Sequence, residues 1–202
     1  PSSSCVALDP TSAWTHGTVS QDIDVTWAGF VGPGVKALGV DSSLWSDHTD
    51  IRPTMLALLG LHDDYISDGR VLAEIIEPGA LPVGIAANPA AYIKLASEYQ
   101  QVNAPLGAFG QQTLVISTAA LESSGTDVAT HSAGTEALST IGSARDALSA
   151  RMIQVLDAAS LDGTPVTNDE AAAAVTVGQG LITATQQLAN KLAPGLGGSL
   201  GW

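Results

Sequence analysis

Four histidines and the carboxylates beside them are the residues in this chain whose types could do chemistry. His16-Gly17 follows Trp14 and Thr15 in a segment without helical periodicity. Neutral imidazole is a good Zn²⁺ ligand, and a neighbouring glycine lets the backbone approach a metal or substrate with no Cβ in the way. On these residues alone a turn or surface histidine is the plainer reading. His48 stands between Asp47 and Asp50, which could ligate a metal, orient a ligating ring, or simply favour a helix start. Capping accounts for Asp50 without any site. His62-Asp63-Asp64-Tyr65 reads as a solvated turn with some capacity for an ion, and His131 as a polar residue at a helix start. Asp47, Asp50, Asp63 and Asp64 together could form a calcium-binding surface, but they lack EF-hand spacing. Phosphate loops, dinucleotide fingerprints, nucleophile elbows and paired-cysteine zinc motifs are absent from the sequence.

The elements that must position these residues fall into two textures, divided near Ala87. In the first part, Val25 to Val31 is β-branched and aromatic and ends at Gly32-Pro33-Gly34, which predicts a strand buried on both faces. Asp50 then reads as an N-cap, Pro53 lies in the first turn of a helix, and Gly60 stops it. A strand followed by a crossover helix is the unit of a layered α/β sheet. The second part predicts three helical stretches. One starts at Asn88-Pro89, carries Tyr92, Leu95, Tyr99, Val102, Leu106, Phe109 and Leu114, and should be kinked or divided at Pro105. Another carries Leu138, Ile141, Leu148, Met152, Val155 and Ala159. The last opens on the capping-box pattern Thr167-Asn168-Asp169-Glu170, carries Ala174, Val177, Leu181, Ala184, Leu188 and Leu192, and stops at Pro194-Gly195. Three apolar stripes of this kind predict an antiparallel helical bundle or hairpin.

The 202 residues include 7 Lys and Arg against 20 Asp and Glu, a net charge of −13. No basic cluster is present to displace counterions, so binding to nucleic-acid backbone or an anionic membrane is not expected. No apolar run reaches the roughly 20 residues that a membrane-spanning helix needs. The single Cys5 has no internal disulfide partner. A start at Pro1, without a signal segment, reads as a processed chain or an excised fragment.

The order of segments is a further signal: Thr15-His16-Gly17, a strand running into Phe30-Val31-Gly32-Pro33-Gly34-Val35, the helix start Asp50-Ile51-Arg52-Pro53-Thr54 with its leucine-rich continuation, and Asp68-Gly69-Arg70-Val71-Leu72. Over residues 11–76 this series resembles the end of the catalytic domain in the alkaline phosphatase superfamily, in particular its phosphodiesterase and nucleotide pyrophosphatase-like branches. The resemblance implies an α/β fold: the C-terminal portion of an α/β/α sandwich, followed by an antiparallel α-helical appendage. It divides the chain into an incomplete catalytic part (1–87), a helical appendage (88–193) and a tail (194–202). It also implies two divalent metal ions, usually zinc, a Thr or Ser nucleophile lying upstream, and His16 as a metal ligand. His48 joins His16 as a metal-ligand candidate on position alone.

The expected function is therefore that of the C-terminal fragment of a metal-dependent phosphoesterase, inactive alone. Its implied partners are the upstream part of the same catalytic domain and a small phosphate-ester substrate, and the resemblance points to an extracellular or cell-envelope location. The rival expectation is a non-enzymatic helical interaction module, in which the apolar seams of residues 88–192 bind a partner.

Overall fold

The computed structural model describes residues 25–123 and 127–194. The chain divides into two units; of the described residues, 25–31 belong to the first and the remainder, from Gly32 on, to the second. Within the first, residues 25–31 form no regular element, and Trp27 and Val31 are exposed. Among the described residues of the second there are six α-helices: α1 (Ile51–Leu59), α2 (Val83–Ala87), α3 (Pro89–Asn103), α4 (Ala108–Ser123), α5 (Val128–Leu161) and α6 (Asn168–Leu192). Single 3₁₀ turns occur at His48–Asp50, Ala73–Ile75 and Pro78–Ala80.

No strand or sheet occurs among the described residues; the one pairing of that kind is an isolated antiparallel bridge between Val35 and Ile76. The α/β/α sandwich is thus corrected to an all-helical bundle. The resemblance to the alkaline phosphatase superfamily falls with it: an all-helical chain with no metal-binding group among the described residues does not fit a hydrolase of that superfamily. The physical reason lies in what strand-like composition can and cannot specify. Residues 25–31 have the β-branched and aromatic content of a strand, but such residues favour a pleated chain only when neighbouring strands take up its backbone groups. Arg70, Val71 and Leu72 are buried, as strand residues would be, yet their N–H groups go to side chains. Asp50 Oδ1 accepts from Arg70 at 2.9 Å, Tyr92 Oη from Val71 at 3.1 Å, and Thr54 Oγ1 from Leu72 at 2.9 Å. A buried backbone donor must be paired, and these three side chains do what a sheet neighbour would have done.

The helix signals hold in more detail. Gly60 ends α1 at φ 63°, with its N–H returned to Ala57 and that of Leu61 to Leu56. Pro53 lies in the first turn, as expected. The capping residue is Asp47 rather than Asp50: its side chain accepts from Thr49 N while the Asp50 carboxylate accepts from Asp47 N. Asn88 caps α3 with Pro89 at the first helical position. Pro105 divides the next stretch, and Ala104 before it is extended, the conformation that a following proline favours. Thr167 and Glu170 form the expected capping box on α6.

The core runs through Leu72, Ile76, Ile85, Tyr92, Leu95, Val102, Ile116, Met152, Leu156 and Val166, each almost wholly buried. Contacts at both ends fix helix directions. Tyr92 meets Ser160 and Asn103 meets Arg145, so α3 and α5 run antiparallel; Asn88 meets Asn168 and Glu98 meets Gly178, so α3 and α6 run parallel. The seam on α6 differs from the expected one. Ala171, Gly178, Thr185 and Ala189 are buried, whereas Val177 is exposed and Leu181 and Leu188 are half-buried. The axes approach closely enough that only small side chains fit between them, and the leucines flank the contact.

Candidate functional site

Two features meet at α1: a buried polar hub beneath it and an apolar groove beside it. The hub starts from Asp50, whose side chain is buried at the start of α1. Besides the N–H groups of Arg70 and Asp47, its carboxylate accepts from Gln100 Nε2 at 2.7 Å. Burial pushes the Asp50 carboxyl up despite these donors. Arg70, also buried, donates from Nε to Gln100 Oε1 at 3.1 Å and from Nη1 to both carboxylate oxygens of Glu74, at 2.7 and 2.6 Å. Tyr92 Oη takes the Val71 N–H and lies 3.4 Å from Ser160 Oγ; burial raises this phenol to about 12, so it stays neutral. Asp50 and Arg70 thus share Gln100, and Arg70 pairs with Glu74, in one hydrogen-bonded network.

The groove lies between α1, the segment after it and the end of α5. Pro53, Leu56, Ala57, Leu61 and Leu161 contribute its apolar wall, with Tyr92, Asp157 and Ser160 lining it further. Thr54 is the only fully buried residue of α1, and Met55 and Leu59 are more than half exposed although they share one helical face. In the segment after α1, Leu61, Tyr65 and Ile66 are 56%, 63% and 81% exposed; Leu61 and Tyr65 line the groove, whereas Met55, Leu59 and Ile66 do not. Arg52, one turn before Met55, pairs with Asp63 and has its guanidinium carbon 4.3 Å from the Tyr65 ring centroid, which pins residues 63–65 against α1.

His16 and His48 are the two residues expected to ligate a metal. His16 lies outside the described residues. His48 is exposed in the 3₁₀ turn ahead of α1. Among the described residues no group of three or more His, Cys, Asp or Glu could hold a metal ion. Of the four acids weighed as a calcium surface, Asp50 is spent on N–H donors and Asp63 on Arg52. His131, in the first turn of α5, lies with Nδ1 2.8 Å from the Ala120 carbonyl and ties α5 to α4. Met55, Leu59, Tyr65 and Ile66 are absent from the sequence-based candidates. A signal for them existed: 51–59 carries Ile51, Met55, Leu56, Ala57, Leu58 and Leu59, too many apolar residues for a helix with a single buried stripe.

One buried charge elsewhere affects stability. Glu98 on α3 packs against Gly178 of α6, and its Oε1 has no hydrogen-bond partner. Burial pushes its carboxyl above the ordinary 4.5. A group raised in the folded state contributes stability that is fully present below its unfolded value and lost as pH rises through the raised one. Glu98→Gln should therefore stabilise the protein at pH 7.5 by about 1 kcal/mol and flatten the gain that the parent shows on acidification towards 4.5. Urea melts of both proteins across that range check this; an unchanged slope would refute it. Asp50 and Asp157, both raised by burial, act with the same sign and leave a residual slope.

Among the described residues no helix is long and apolar enough to cross a membrane. Comparison of the chain with protein-family models, curated proteins and solved structures yields no match, so function must be argued from the groove and its surroundings alone.

Proposed function

We propose that this chain is a non-enzymatic helical interaction module that docks a partner on the apolar face of α1 and residues 61–66. The observation that supports this reading is the exposure of Met55 and Leu59 on one face of α1 and of Leu61, Tyr65 and Ile66 in the short segment that follows it. Burying two such side chains against a partner removes about 3–6 kcal/mol worth of apolar hydration, enough to account for leaving them in water in the free protein. The docking face differs from the one anticipated on residues 88–192, because the helical seams there are largely consumed by packing on each other.

A photo-crosslinking side chain placed at position 59 in the producing cell tests this. A discrete adduct is expected at Leu59, competed by excess unlabelled chain but not by the Met55→Gln/Leu59→Gln double variant. The same label at Thr140, exposed on α5, should give no such adduct. Both substitutions lie on the surface and should change urea stability by no more than about 0.5 kcal/mol, so loss of competition cannot be ascribed to unfolding. Identical adducts at both positions, or none at Leu59, would overturn the reading.

A further inference from the structure

We propose that Asp162-Gly163, in the link between α5 and α6, is a site of covalent self-modification at which the chain rearranges to isoaspartate, and that the fold bars the other Asp-Gly pair, Asp68-Gly69, from the same reaction. In such a pair the glycine nitrogen attacks Cγ of the aspartate before it. A C–N bond forms, the amide proton and the carboxyl hydroxyl leave as water, and a succinimide ring closes over the backbone. Water then reopens the ring at one of its two carbonyls, so no atom is gained or lost overall. Breaking the bond from the nitrogen to Cγ returns aspartate. Breaking its bond to the original backbone carbonyl leaves the chain running through Cγ, with the α-carboxylate free. No oxidant or co-reactant other than water is needed. Glycine favours the attack because no Cβ shields its nitrogen, and Asp-Gly occurs only at these two places in the sequence.

The reaction requires the peptide between the two residues to turn until its nitrogen faces Cγ. In Asp68-Gly69 both ends of that peptide are held: the Asp68 carbonyl accepts from Tyr99 Oη at 2.9 Å, and the Gly69 N–H donates to Ser67 Oγ at 3.1 Å. Gly69 is also buried against the Thr49 carbonyl, which leaves no room for the turn. The corresponding carbonyl of Asp162 and N–H of Gly163 make no hydrogen bond with any described residue. Residues 161–165 are exposed, and an added Cβ at Gly163 would meet open space. The chain is fixed just outside that peptide, because the N–H groups of Asp162 and Thr164 both go to the Ala158 carbonyl, at 3.1 and 3.0 Å. With those anchors in place the peptide turns by opposite changes in Asp162 ψ, which is −3°, and Gly163 φ, which is 72°. Glycine accepts the range of φ that this demands. The product gains a backbone carbon beside Gly84 of α2, whose own added Cβ would lie 2.8 Å from the Gly163 carbonyl carbon, and it carries a free α-carboxylate at the α5–α6 junction.

The test incubates the full chain for several weeks at physiological temperature and neutral pH. Isoaspartate is read with an isoaspartate-specific carboxyl methyltransferase and a tritiated methyl donor, then placed by electron-transfer fragmentation of the tryptic peptides 37–70 and 152–191, which separate the two pairs. Peptide 152–191 should gain label at Asp162, and peptide 37–70 about tenfold less. In concentrated urea, where both peptides turn freely, the two should gain label at rates within about twofold of each other. Gly163→Ala should lower the label at Asp162 about tenfold, because the new Cβ shields the nitrogen and opposes the turn. Equal label in the two peptides of the folded chain, no label at Asp162, or a Gly163→Ala chain labelled as heavily as the parent would each overturn the proposal. A bias towards 152–191 that persists in urea would overturn the protection of Asp68-Gly69 by the fold.

Discussion

Replacing Arg70 by Met should cost this protein about 3–5 kcal/mol, among the largest effects available from a single side chain in the fold. The guanidinium is buried and holds the Glu74 carboxylate by two bonds and Gln100 by a third, while its Nη2 lies 3.4 Å from the Trp45 carbonyl. Methionine fills much of the same volume but leaves Glu74 without its cation and Gln100 Oε1 without its donor. The loss is dominated by those orphaned groups rather than by the attraction removed. Adding Glu74→Leu to Arg70→Met should therefore restore more than about 1 kcal/mol, since no carboxylate is then stranded. Equilibrium urea unfolding of the parent, both single variants and the double variant decides this. Costs that simply add would show that Arg70 and Glu74 do not act as a unit.

Gly69→Ala is the second large effect. A Cβ at this position would collide with the Thr49 carbonyl and lie 2.6 Å from the backbone nitrogen of Asp50. Neither obstacle is a side-chain tip that can rotate away; both belong to the turn that starts α1. Residues 68–72 would have to lift from that turn, breaking the bonds from Arg70 N to Asp50 and from Leu72 N to Thr54. A loss of about 3 kcal/mol or more is expected. Gly79→Ala, where no atom lies within 4 Å of the added Cβ, should change stability by less than about 0.5 kcal/mol. The comparison is read from thermal and urea melts. A Gly69→Ala protein as stable as the Gly79→Ala one would mean that residues 68–72 do not pack as closely on α1 as the structure has them.

Both effects converge on Asp50-Ile51-Arg52-Pro53-Thr54 and Asp68-Gly69-Arg70-Val71-Leu72, the two segments that invite a sheet-enzyme reading. Their association is real but its chemistry is structural. Asp50 and Thr54 accept backbone N–H groups from Arg70 and Leu72, and Gly69 is a glycine because the chain crosses the α1 start in van der Waals contact. Short motifs of this kind report that two pieces of chain meet. They do not report whether the meeting occurs in a sheet or between a helix and an irregular segment, since the same donors can be satisfied either way.

What the sequence by itself determined is local. The start at Asn88-Pro89, the break at Pro105, the Thr167–Glu170 box and the Gly60 stop each follow from a capping side chain, a missing N–H or a left-handed residue, and each stands in the structure. Those features depend on interactions within a few residues. Three matters were decided only by tertiary structure. Residues 25–31 form no strand, because strand composition needs partner strands. The buried seam of α6 runs through Gly178 and Thr185 instead of Leu181 and Leu188, because the distance between helix axes selects the small face. Met55, Leu59 and Tyr65 stay in water because the neighbours of α1 cover only its other side, and which apolar face remains open depends on where every other helix has already packed.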